Sequence, residues 1–295
     1  MKLRFGTPRK LPKASQLEGR VVVLDIAFAA STGGGFEKVT GKFIRQLENR
    51  LVGWVDHHDH ELHERFASDP RFFLSTKAEH GACPEMITPE VVAQVGEVDT
   101  IVCHTDFDGL ASAAKWLNGG AEPFEGCDAD AHAIDTRLGE PSKNAQRIDR
   151  ALRARPRDQE LLRSVVRLML GGCQDRALWS QVDQAAGELV PIEKETRRAA
   201  QKYKCYSRRF GGGLAYVDIS EGFGRLDKTE LLLLGQKLEM ISMVVDQQTV
   251  TLAAPFDSGL NFLTLLGIEG GMPTRVSVQR KRLDEVLDRL EVDFV

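Results

Sequence analysis

Three short apolar runs in the first half of the chain each end in acidic or imidazole side chains, and no other feature constrains the fold as tightly. Val21-Val22-Val23-Leu24 runs into Asp25. Leu51-Val52-Gly53-Trp54-Val55 runs into Asp56-His57-His58. Thr100-Ile101-Val102-Cys103 runs into His104-Thr105-Asp106-Phe107-Asp108-Gly109. Short apolar runs of this kind read as buried strands. Helical patterns separate them. Residues 36–51 place Phe43, Ile44, Leu47 and Leu51 on one face. Thr88-Pro89-Glu90 reads as an N-cap with proline at the first helical position, opening a helix through Val95. A third helix, over 109–117, is closed by Asn118-Gly119-Gly120. This alternation predicts an α/β fold: a mostly parallel sheet with flanking helices. In such a sheet, ligands bind outside the carboxyl ends of the strands, where all three clusters fall.

The middle of the chain, from about 141 to 203, lacks strand-like runs and reads as helical, and its charged end over 191–204 is expected to be a helical linker. A second, smaller α/β domain is expected over 205–295. It opens with the turn Gly211-Gly212-Gly213 before a strand over 214–219. A helix over 227–241 follows, then strands over 242–246 and 249–253 joined by Gln247-Gln248. A strand over 275–278 and a helix over 281–290 complete it. The first domain is expected to span 1–190.

A net charge of −4 gives no long-range attraction to nucleic acid or anionic lipid, so any phosphate-bearing substrate must be captured locally. No apolar run approaches the roughly 18 residues of a membrane span, and the basic first residues lack the apolar core of a secretory signal. The five cysteines (Cys83, Cys103, Cys127, Cys173 and Cys205) form no CxxC. They are expected to be reduced thiols in a cytoplasmic protein.

Aspartates and histidines clustered with no Lys or Arg between them repel one another unless cations sit among them. Mixed carboxylate and imidazole donors suit Mn, Mg or Co. His104, Asp106 and Asp108 can reach different ions at a strand end. Asp25, alone on its strand end, fits a bridging role that holds two ions about 3.5–4 Å apart, the spacing suited to in-line displacement at phosphorus. His57 would ligate the second ion, and His58 would reach past it to a substrate phosphate. His60, His63 and Asp59 follow the cluster and are expected at the surface. Other motifs fall away. Gly35 and Gly41 are spaced one residue too far apart for a phosphate loop, and Phe43 stands where that loop needs Ser or Thr. Asp106-x-Asp108-Gly109 is too short for an EF-hand loop.

Asp56-His57-His58 resembles the motif that names the DHH phosphoesterase superfamily. His104-x-Asp106-x-Asp108-Gly109 looks like that family's HxDxDG-like motif, and Asp25 looks like its lone strand-end aspartate. Here the HxDxDG-like motif follows DHH instead of preceding it, so the resemblance implies a circularly permuted catalytic domain. Permutation at surface loops is physically tolerated. Gly81-Ala82-Cys83-Pro84-Glu85-Met86 resembles the helix start that follows DHH. Asp135, in Asp135-Thr136, resembles the family's fourth aspartate, with Asp175, Asp130 and Asp128 as rivals. The C-terminal domain resembles the small DHH-associated domain. Gly270-Gly271-Met272-Pro273-Thr274-Arg275 stands in place of its glycine-rich GGGHP-like motif, with Met272 where histidine is usual. Gly270, Gly271 and Arg275 are then the expected substrate-binding residues.

The resemblance implies a phosphoesterase with two divalent ions, Mn²⁺ ahead of Mg²⁺ or Co²⁺. Asp25, His57, His104, Asp106, Asp108 and Asp135 would hold them, with Asp56 and His58 in the catalytic motif. The expected substrate is small and phosphate-bearing, down to a short oligonucleotide, a cyclic dinucleotide or polyphosphate, held in a cleft between the domains. A homodimer and no membrane partner fit this reading. The alternative is a non-hydrolytic nucleotide-binding sensor on the same fold.

Overall fold

The computed structural model describes residues 1–209 and 212–292; Gly211 of the expected glycine turn lies outside the described residues. The chain forms two compact units, residues 1–188 and 189–295.

The first unit is built on a five-stranded sheet. Its order is Lys2–Phe5, Thr100–Cys103, Val21–Leu24, Leu51–Asp56 and Phe72–Leu74, and every pairing is parallel. The three expected strands are its centre. Val21–Leu24 is fully buried, and its side chains alternate between two cores. Val22 and Leu24 pack with Phe107, Leu110 and Val165 on one face. Val21 and Val23 pack with Phe28, Phe43 and Trp54 on the other. A strand buried on both faces must be apolar throughout, which is why it appears as an unbroken run. The two edge strands, Lys2–Phe5 and Phe72–Leu74, are short and only half-buried, so no long apolar run marks them in the sequence.

The helix expected over 36–51 is shorter: Thr40–Leu47, then a 3-10 turn Glu48–Arg50, with Leu51 already in the strand. The helix Pro89–Val95 forms as expected, with the Thr88 side chain accepting from Val91 N–H. The third begins earlier than expected, at Phe107. The middle segment is helical: Lys143–Ala154, Gln159–Leu170 and Arg176–Gly187.

In the second unit a mixed sheet runs Arg275–Gln279, Thr249–Ala253, Ile241–Val245, Leu214–Asp218, Lys204–Tyr206. Only the Leu214–Asp218 and Ile241–Val245 pair is parallel. The segment expected as a linker over 191–204 differs. The helix Leu189–Ala200 belongs to this unit, and Ala199 is fully buried with Val217, Leu231 and Val244. Its buried stripe is Leu189, Glu193, Thr196 and Ala199. A stripe carried by small and polar residues is invisible in a charged sequence. No helix among the described residues is long and apolar enough to cross a membrane. All five cysteines are free thiols.

Candidate metal centre

The carboxyl ends of the three central strands bring Asp25, the Asp56-His57-His58 triplet and the His104–Asp108 turn together. Asp25 follows its strand with φ +57°. This left-handed conformation is one that aspartate tolerates better than most residues. Its amide donates to Val55 carbonyl at 2.9 Å, which fixes the turn against the neighbouring strand. The strand Thr100–Cys103 ends before His104, so His104, Asp106 and Asp108 do not share one extended face. Asp106 is the N-cap of helix Phe107–Leu117, accepting from Gly109 N–H, and Asp108 sits in its first turn. The break sends the two aspartates to different places.

Asp25, His104 and Asp106 form one donor group; His57, Asp108 and Asp135 form a second; Asp25 also groups with His57 and His58. Asp25 is therefore shared. Its Oδ1 lies 3.2 Å from His57 Nε2, and its Oδ2 lies 3.7 Å from His104 Nδ1. His104 Nδ1 is 2.6 Å from Asp106 Oδ2. His57 Nε2 is 3.4 Å from Asp108 Oδ2 and 3.9 Å from Asp135 Oδ2. Both oxygens of Asp25 and Oδ2 of Asp108 are buried without a hydrogen bond among the described residues. Buried carboxylate oxygens left in this state are costly unless a cation faces them. The Asp25, His104, Asp106 group therefore fits a divalent ion.

Two residues that the sequence pattern did not single out complete the second group. His57 Nδ1 donates to the His80 carbonyl at 2.9 Å, which leaves Nε2 as the inward lone pair. Lys77 is buried, lies with Nζ 2.9 Å from that Nε2, and forms an ion pair with Asp135. The premise that no basic residue neutralises the cluster is therefore corrected. Lys77 comes from a loop after the edge strand, where nothing in the local sequence marks it as part of the cluster.

Titration reflects the same crowding. Burial, then the charges of Asp108 and Asp106, lift the Asp25 carboxyl well above the ordinary range. Burial opposes the charged form of His104, but Asp106 outweighs it and pushes the imidazole up to about 10. Burial likewise opposes ionisation of Asp106, yet His104 holds its carboxyl below the usual range. Asp56 follows the same rule, with His58 as the prevailing influence.

Asp56 is fully buried and its Oδ1 lies 2.8 Å from His58 Nδ1. It belongs to none of the donor groups and acts by orienting His58. Among the rivals to Asp135, Asp175 caps a helix through Ala177 and Leu178 N–H. Asp130 accepts from Ser142 N and Oγ, and Asp128 pairs with Lys115. His60 and His63, expected at the surface, instead turn their rings onto Phe28, with centroids 5.6 and 5.2 Å away. An aromatic pocket shelters them. Gly270, Gly271 and Arg275 lie in the second unit. Gly271 has φ +129°, a conformation that favours glycine. Arg275 N–H closes a turn onto Met272 carbonyl at 3.1 Å, and its guanidinium donates to Thr229 Oγ1.

No family model matches the chain, and no curated protein matches it. Among solved structures the chain is similar to the crystal structure of exonuclease RecJ bound to manganese, with a TM-score of 0.44 and 12% identity, over 92% of this chain and 74% of that one.

Proposed function

We propose that the first unit is a divalent-metal-dependent phosphoesterase acting on a phosphodiester or phosphoanhydride of a small nucleotide, a short oligonucleotide or polyphosphate. The observation that carries this reading is Asp25: buried, strained, without a hydrogen bond on either oxygen, and shared between two groups of donors. An aspartate in that state is wasteful in a scaffold but suited to cations. A bound cation supplies Lewis-acid charge at phosphorus and makes water acidic enough to react near neutral pH.

The chain's own residues have distinct tasks. Asp25, His104 and Asp106 would hold a cation of the Mn²⁺ type. His57 is kept in its tautomer by the His80 carbonyl. His58 is held through Nδ1 by Asp56, which would orient its imidazole for contact with the phosphoryl group. Gly109 lets the helix start close under His104. In the second unit, Gly270, Gly271 and the exposed Arg275 are the proposed substrate contacts, because a glycine backbone and a forked guanidinium both suit phosphate. The motif order reads as a permuted DHH arrangement, and parallel strands present the same ends whatever order the chain visits them.

Hydrolysis of bis-p-nitrophenyl phosphate with and without Mn²⁺ tests the reading. Mn²⁺-dependent release that disappears in Asp25→Ala is the expected result. Protein that binds Mn²⁺ tightly yet releases nothing across a panel of phosphodiesters and phosphoanhydrides would overturn it.

A further inference from the structure

We infer that the Lys77 ammonium occupies the second cationic position of this centre, so that the chain works with a single divalent ion at Asp25, His104 and Asp106. This rests on the metal-dependent reading given above and changes its ion count.

The second donor group has a feature that the first lacks. Its imidazole lone pair, His57 Nε2, already faces Lys77 Nζ at 2.9 Å, and its Asp135 oxygen is already ion-paired to the same nitrogen. Asp108 Oδ2 and Asp25 Oδ1 look onto that same imidazole nitrogen at 3.4 and 3.2 Å. A metal held by His57 and Asp135 would sit about 2.0–2.2 Å from each donor. That point lies within the volume the ammonium fills. The two cannot be present together.

Lys77 is not a surface side chain that strays inward. It is 2% exposed. Its amide donates to Asp59 Oδ2 at 3.2 Å, and the turn that follows is tied by Ser75 and Thr76 to Glu79 and by Ser75 to His80. His80 in turn holds His57 through its carbonyl. One ordered loop thus delivers the ammonium and orients the imidazole it bonds. Lysine is a compact point charge with donors and no acceptor, which suits a position lined by carboxylate oxygens and a lone pair. The consequence is a fixed single positive charge beside the phosphoryl site, present whether or not metal is supplied.

The test is the manganese stoichiometry of the full chain, by titration calorimetry and elemental analysis, with electron paramagnetic resonance to separate isolated from exchange-coupled ions. Wild type should saturate at a single Mn²⁺ per chain with an uncoupled spectrum. Lys77→Met removes Nζ and its charge while keeping an apolar stem out to Cε, and should take up a pair of coupled ions; Lys77→Gln serves if the methionine variant does not fold. A coupled pair in wild type overturns the inference and leaves the phosphoesterase reading standing. So does a single ion in the folded Lys77 variant. Protein that binds no Mn²⁺ at all sinks the inference and the phosphoesterase reading together.

Discussion

Gly109 passes so close beneath His104 that a Cβ at position 109 would lie 2.7 Å from the His104 Cβ and 2.9 Å from its backbone carbonyl. Both partners are fixed, His104 by the hydrogen bond its backbone N–H donates to the Leu24 carbonyl at 3.2 Å and Gly109 by its place in the first turn of a buried helix. The glycine is therefore what allows Asp106 and Asp108 to diverge around the strand end. Gly109→Ala should destabilise the protein by about 1–3 kcal/mol through overpacking and weaken Mn²⁺ binding by displacing His104. Chemical unfolding and calorimetry check the two effects. Unchanged metal affinity would mean that the close approach is unimportant to the centre.

Asp25→Asn keeps the shape of the side chain, and asparagine also tolerates the left-handed backbone. It removes a buried carboxyl whose ionisation burial, Asp108 and Asp106 all oppose. The metal-free variant should be more stable than wild type, by about 0.5–2 kcal/mol, the usual reach of relieving a strained functional site. It should bind Mn²⁺ far more weakly. A metal-free variant less stable than wild type would show that Asp25 serves the fold instead of a cation.

The metal-free protein should lose stability as pH rises from about 6.5 towards 10. His104 holds its proton in the folded state up to about 10 against an ordinary 6.5. The folded form therefore binds more protons across that interval, and stability falls with pH. The raised Asp25 acts in the same sense. The lowered Asp106 and Asp56 act oppositely, withdrawing stability as pH falls through their depressed values. Melting temperatures from pH 6 to 10, with and without Mn²⁺, check this. Divalent ion should flatten the profile by displacing the protons, and a profile that rises with pH would contradict it.

Asp56 and His58 should behave as one unit. Asp56→Ala and His58→Ala should each lower kcat about 10–100-fold, with Mn²⁺ stoichiometry unchanged. The double variant should be little worse than either single one, because each loses the same oriented imidazole. Full additivity would assign Asp56 a separate task.

Much of the centre was legible in the chain itself. Strands buried on both faces must be continuously apolar, so Val21–Leu24, the run into Asp56 and Thr100–Cys103 declared themselves, and a parallel sheet then sends their ends to one edge. That Asp25, His57, His104, Asp106 and Asp108 come close together at one sheet edge followed from that alone. Asp135 is reached only through the resemblance, because it stands on a helix whose sequence says nothing about where it points. What only the tertiary structure decided lies in segments without periodicity. The loop after Phe72–Leu74 carries Lys77 into the carboxylates and sets His80 against His57. The stripe of Leu189, Glu193, Thr196 and Ala199 turns a charged segment into part of the second unit's core. A repeating pattern reports which face of an element is buried, but a loop's destination depends on contacts with distant residues. That is why the cation at the heart of the acidic cluster had to be found in three dimensions.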